Sequence, residues 1–219
     1  MNSRCLYTHQ ILHQRWFSGT KRTIQHRGCL RITENISMTD IGQVILLASN
    51  VGKRFEENWK KSIPDDVMYY RLKDQAQSFG GCNNLRFSSK NPCDCFLFYS
   101  PYFYALELKS VGTSSISFER TKEEKGVIHY HQIKGLREFV GYKNIIAGFL
   151  FNFRKNNTET TYYQHINDFD RMINSIDKKS FNEKDLVKFN PVIVNNRKLK
   201  VNYRYDVADL LNRITGDFN

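Results

Sequence analysis

Glu107 and Lys109 stand two residues apart in Ala105–Ser110, a segment that otherwise reads as a buried strand. Strand side chains alternate faces, so Ala105, Glu107 and Lys109 share one side while Leu106 and Leu108 take the other. A second strand-like run begins at Asp94, and Ser100-Pro101 between the two is a hairpin signal. Antiparallel pairing brings Asp94 near the part of the second strand that holds Glu107, placing two carboxylates and an ammonium at one sheet edge. Two hard oxygen ligands completed by waters suit magnesium, with manganese as a substitute, and an adjacent ammonium lowers the cost of forming hydroxide. The chemistry implied is hydrolysis of a phosphodiester. An exposed strand face carrying an ion pair has the same spacing, and both readings stand at this point.

A third acid comes from an upstream helix. Thr39 and Asp40 suit an N-cap, and Ile41, Val44, Ile45, Ala48, Val51, Phe55 and Trp59 recur at three- and four-residue intervals until Pro64. Glu56 follows Ile45 by eleven residues, close to three turns at about 3.6 residues each, so it points along the apolar stripe and Glu57 does not. An acid turned toward a core calls for a cation or a metal, and Glu56 is placed to look toward the Asp94, Glu107 and Lys109 edge. The alternative is an acid at the margin of the stripe that reaches water.

The elements that must hold these groups follow in a definite order. "VMYYRL" from Val67 reads as a strand, then "DCFLFYS" and "FYALELKS" as a hairpin, and "SISF" as a short strand before a charged loop, Glu119–Gly126. "HQIKGLREFV" reads as a helix, "IIAGFLFNF" as a buried strand and "TTYYQHI" as its neighbour. Asn167 is a candidate cap for a helix through Ile176, and Ser180 with Glu183 has a capping-box spacing. A strand around Leu199–Tyr203 and a helix from Val207 to Ile214 close the chain. The fold class is α/β, a central mixed sheet with helices on its faces.

Composition narrows the partners. The 219 residues carry a formal charge of +11, which favours a polyanion, because lysine and arginine placed on phosphates release condensed counterions. Residues 1–37 hold Arg4, Arg15, Lys21, Arg22, Arg27 and Arg31 against Glu34 alone and show no sustained period. They read as a basic, poorly ordered arm, with an organelle-targeting leader or an upstream extension as alternatives, and 38–219 as a single domain. Five cysteines without a CxxC pair fit reduced thiols in a cytoplasmic protein. Cys82, Cys93 and Cys95 with His129 and His131 lack paired zinc-ribbon spacing. No run approaches the roughly 20 apolar residues of a membrane span.

Asp94, a hairpin, then Glu107-Leu108-Lys109 resembles the PD-(D/E)xK nuclease signature, with Cys93 where proline is usual. More specifically, the chain resembles the RecU-type Holliday-junction resolvases of Gram-positive bacteria and their phages. "NVGKRFE", Asn50–Glu56, is similar to that family's N-x-G-x-x-F-E, and "HYHQIKGL", from His129, to its H-x-H-Q-I motif, followed by the strand "IIAGFLF". The resemblance covers roughly Asn50–Phe153. It implies a restriction-endonuclease-like sheet and a magnesium-dependent endonuclease that resolves four-way DNA junctions by paired symmetric nicks. Asp94 and Glu107 would be the metal ligands and Lys109 would orient or activate the attacking water. Glu56 would assist the metal site, and Gln132 would support the site or the scissile phosphate. The family's long stalk before the catalytic aspartate is represented here only by Lys73–Cys93. Other DNA substrates, or a non-catalytic DNA-binding module, are the competing readings. His129 and His131 are candidate phosphate contacts or plain packing residues, and Tyr69, Tyr70, Tyr99, Tyr102 and Tyr104 base-stacking or sheet-packing residues. A homodimer is expected because a two-fold junction offers two equivalent phosphates, with Phe96, Phe98, Tyr102 and Phe103 in its contact or in the core.

Overall fold

The computed structural model describes residues 51–73, 90–155 and 158–216. The N-terminal arm, the start of the first helix and Cys82 lie outside the described residues. Residues 51–60 are helical (α1) and bury Phe55 and Trp59, as the apolar spacing requires. The chain then forms β1 (Met68–Arg71), β2 (Cys95–Tyr99), β3 (Tyr102–Val111) and β4 (Ser115–Ser117). After α2 (Tyr130–Phe139) come β5 (Ile145–Lys155), β6 (Thr158–His165) and α3 (Ile166–Ser175). The remaining elements are β7 (Ser180–Asn182), α4 (Glu183–Val187), β8 (Val192–Val194), β9 (Asn196–Lys198), β10 (Tyr203–Tyr205) and α5 (Val207–Gly216).

A six-stranded sheet runs in the order β1-β2-β3-β5-β6-β8, and β3 with β5 is its parallel pair. β1, β2 and β3 are antiparallel neighbours on one side of that seam, and β5, β6 and β8 on the other. The architecture is a mixed β-sheet flanked by helices, of the restriction-endonuclease-like α/β kind. β4 pairs with β7 and β9 with β10 in small separate sheets.

The period of two in β3 sorts the core into two layers. Tyr104, Leu106 and Leu108 pack with Phe55 and Trp59 of α1 and with Val207, Leu210, Leu211 and Ile214 of α5. Ala105 and Val111 face the other layer, where Ile133 and Leu136 of α2 meet Phe169, Met172 and Ile173 of α3. Glu107 and Lys109 belong by parity to this second face. α3 and α5 each bury residues at i, i+3 or i+4 and i+7, which is why short segments hold as helices against the sheet.

Three local expectations are corrected. His165, not Asn167, caps α3: the strand runs straight into the helix, and the His165 ring accepts from the Asn167 N–H at 3.2 Å. Asn182 and Asp185, not Ser180 and Glu183, form the capping box of α4, because Ser180 is taken up by strand pairing with Ser117. Of the strand expected over Leu199–Tyr203, only Tyr203 lies in a strand, at the start of β10; Leu199–Asn202 form the turn between β9 and β10, closed by Leu199 N–H to Asn202 O at 2.7 Å.

Of the aromatic residues proposed for a dimer contact, Phe96 packs on Phe103 and Phe139, and Phe98 is 43% exposed. Tyr104 is fully buried and Tyr70 is 60% exposed, so only the latter is free to stack on a ligand. Among the described residues no helix is long and apolar enough to cross a membrane.

Candidate active site

Pairing of Cys95 with Leu106 carries on into Asp94 N–H to Leu106 O at 3.1 Å, which sets Asp94 across from Glu107. The Asp94 carboxylate is held in place by the Leu108 N–H, at 2.7 Å to Oδ2. Its backbone carbonyl accepts from Leu72 N–H at 2.9 Å just beyond the end of β1. Asp94 is thus fixed by both neighbouring strands, and partly open to solvent.

Glu107 is 1% exposed. A carboxylate this deep is costly unless donors surround it. Its Oε1 receives two: Lys109 Nζ at 2.7 Å, and the side-chain Nε2 of Gln132. Gln132 is the third residue of α2, and its Oε1 accepts the His129 N–H at 2.9 Å, so the helix cap itself fixes which end of the amide faces Glu107. Glu107 Oε2 is buried with no donor partner among the described residues, and the Asp94 carboxyl lies within range of a shared proton. Burial pushes Glu107 up to about 8; the Lys109 ammonium opposes that shift and Asp94 adds to it. A buried carboxylate oxygen without a donor, on a strand that sets a second carboxylate across from it, is a pair of hard oxygen groups of the kind a divalent ion takes.

α2 can approach this closely because Gly135 has no Cβ. A Cβ built there would stand 2.5 Å from Pro92 Cβ, two residues before Asp94. The helix start is itself anchored by Glu119, which accepts from Tyr130 N–H at 2.8 Å, Gly126 N–H at 3.1 Å and the His129 ring at 2.8 Å. Burial alone would raise the Glu119 carboxyl, but these hydrogen bonds outweigh it and hold its pKa below the ordinary range. The rings of His129 and His131 stack at 5.4 Å. Burial, then Lys90 and His129, lowers the pKa of His131.

Glu56 is placed differently from Asp94, Glu107, Lys109 and Gln132. Its carboxylate pairs with Arg71 of β1, and α1 packs on the opposite face of the sheet from Glu107. Register sets Arg71 beside Cys95, on the α1 side, so a cation meets this acid there. Among the described residues no group of three or more His, Cys, Asp or Glu is arranged to hold a metal ion. Cys93 and Cys95 are buried free thiols in different core layers, which removes them as joint zinc ligands. Glu119 carries no sequence signal as an anchor of the site, since it opens a loop and its partners are two backbone N–H groups and the His129 ring.

No family model matches the chain. The SPbeta prophage-derived uncharacterized protein YotM of Bacillus subtilis (strain 168) is 39% identical over 182 residues, covering 78% of this chain and 87% of that protein. The chain belongs to the YotM family. Among solved structures, Hjc of Archaeoglobus fulgidus, a Holliday junction resolvase, is similar over 68% of this YotM-family chain and 94% of its own, at 9% identity and a TM-score of 0.37.

Proposed function

We propose that the chain is a metal-dependent endodeoxyribonuclease of the PD-(D/E)xK type that resolves four-way DNA junctions as a homodimer. The observation that carries this reading is the convergence of Asp94, Lys109 and Gln132 on the buried Glu107, whose Oε1 takes both donors while its Oε2 has none among the described residues. Asp94 and Glu107 are the residues to hold magnesium, or manganese in its place. A divalent ion there supplies charge neutralisation at the scissile phosphate and a more acidic water. Lys109 stands against Glu107 Oε1, placed to hold and orient the attacking water through its ammonium. Gln132 would hold the Glu107 carboxylate in its orientation through Oε1, and the exposed Lys90 would offer a contact to the phosphate. The net charge of +11 supports a DNA partner. The prophage origin of YotM fits work on recombining phage DNA in a bacterial cytoplasm.

The short segment Lys73–Cys93, where the RecU-type enzymes carry a stalk, favours a second reading in which the same chemistry acts on other DNA. A panel of junction, fork, flap and duplex substrates, with and without magnesium, separates the two. Paired symmetric nicks in the junction are expected, and they are to vanish in Glu107→Gln. Equal cutting of linear duplex favours the second reading. Normal turnover by Glu107→Gln rejects both.

A further inference from the structure

A cleft of about 400 Å³ opens on the other face of the sheet, where α1, the β5–β6 hairpin and the β9–β10 hairpin meet. Arg54, Arg154, Lys155, Lys198 and Lys200 line it, against one carboxylate, Glu159. Five cations drawn from three elements repel one another, and such a grouping is costly to assemble unless an anion enters it. Glu159, whose Oε1 accepts from the Tyr205 hydroxyl at 2.6 Å, offsets one of the five and leaves the cleft with a net positive charge. The ion pairs of the described residues lie elsewhere and leave Arg54, Arg154, Lys155 and Lys200 with no carboxylate within 4.0 Å.

Arg154 is aimed, not loose. Its Nε donates to Ser110 Oγ at 3.1 Å, Ser110 Oγ donates to Asn152 Oδ1 at 2.7 Å, and Asn152 Nδ2 donates to Thr161 Oγ1 at 2.9 Å. Asn152 and Thr161 are fully buried, so a polar chain inside the sheet holds one guanidinium at the cleft wall. Burial and then Arg54 lower the Arg154 pKa, against the pull of Glu159, in keeping with a cation short of negative partners.

We infer that this cleft binds backbone phosphates of the same DNA whose scissile phosphate is held at Asp94 and Glu107. The inference rests on the nuclease reading for the identity of the polyanion, and on the cleft alone for the binding site. β3 joins the two: Glu107 and Lys109 project from one face, and Ser110 buttresses Arg154 on the other. Glu107 and Ser110 are three residues apart, about 10 Å along the strand and on opposite faces of it, so a nucleic acid held at both sites must turn around the end of β3.

The test measures binding of a fluorescein-labelled four-way junction and of a duplex by anisotropy in calcium, across a salt series. The triple variant Arg54→Gln, Arg154→Gln, Lys200→Gln is compared with a charge-matched control, Lys143→Gln, Lys184→Gln, Lys188→Gln, whose side chains are exposed and outside the cleft. The cleft variant is expected to bind at least tenfold more weakly than the control, with a salt slope reduced by about 2 to 3. Should Arg154→Gln lower the melting temperature, Arg54→Gln with Lys200→Gln leaves the buried chain intact and carries the test, with a slope reduced by about 2. Affinity and slope equal to the control, or a wild-type chain that binds no DNA, overturn the cleft. A wild-type chain that binds through the cleft but cuts nothing overturns the nuclease reading and leaves the cleft standing.

Discussion

Gln132 donates its side-chain amide to the buried carboxylate of Glu107 while its own oxygen caps helix α2 through the His129 N–H. One residue therefore couples the position of a helix to the orientation of a catalytic candidate. Gln132→Ala should remove both bonds. Loss of a cap and of a buried donor costs about 1 to 3 kcal/mol each way it is counted, so a fall of several degrees in melting temperature is expected. Cleavage should fall about 10- to 100-fold, the usual effect of losing a group that orients a metal ligand. Single-turnover rates beside a thermal melt check this. An unchanged rate in a destabilised protein would make Gln132 a cap and nothing more.

Asp94→Asn and Glu107→Gln should each abolish cleavage and leave DNA affinity within about threefold, because phosphate contacts spread over a basic surface dominate binding. Calcium should support binding without cutting, as a poorer activator of water with looser geometry. Anisotropy and gel assays on the same protein preparation test both statements.

Glu107 also sets a pH dependence in the metal-free protein. Its folded pKa, about 8, lies above the ordinary carboxylate value of 4.5. The folded state then binds the proton more tightly, so its contribution to stability is full below the ordinary value and is lost as pH rises through the folded one. Melts in chelator should drop between about pH 5 and about pH 8. Glu107→Gln should flatten that drop, and magnesium should restore stability most at the alkaline end. A wild-type melt flat across this range would contradict the buried state of Glu107.

Glu119 gives the opposite sign. Its folded pKa is depressed by the hydrogen bonds of Tyr130, His129 and Gly126, which outweigh burial. The stability it supplies is present above the ordinary carboxylate value and is lost as pH falls through the lower folded one. Glu119→Gln should lower the neutral-pH melting temperature and shrink the acid limb of the profile. Comparison of the two melts from pH 7 down to about 3 decides it.

Gly135→Ala should force α2 away from Pro92, where the added Cβ has no room. Overpacking of this kind costs about 1 to 3 kcal/mol, and it also draws Gln132 off Glu107. Loss of cleavage out of proportion to loss of stability is the expected result. Ala in place of Gly52, where nothing lies within 4 Å of the added Cβ, is the control and should be tolerated.

The facing of Asp94, Glu107 and Lys109 followed from the two-residue period of a strand, which needs no tertiary information. The burial of Glu107 did not, because it depends on α2 crossing over the sheet between β3 and β5. Gln132 entered the sequence reading only through family resemblance, since its tie to Glu107 spans 25 positions. Glu56 was assigned by helical period, which gives the direction along α1 but not which face of the sheet the helix covers. The β9–β10 region was misread as one strand because Leu199–Asn202 lacks glycine and proline, the usual marks of a turn. The basic cleft had no local trace at all: Arg54, Arg154 and Lys198 are far apart in the chain and left only a net charge.

The parallel seam between β3 and β5 has a consequence for how the chain acquires its chemistry. Asp94 and Glu107 are joined by a hairpin, a short-range contact that closes quickly. Gln132 arrives only with the crossover that docks β5 beside β3, a long-range step that is slow by comparison. On this ordering the acids would meet before their amide donor does, and a cation between the two carboxyls would be worth most at that stage. Divalent ions present during refolding should act on that early hairpin as well as on the folded protein, as a template on which the rest of the chain closes.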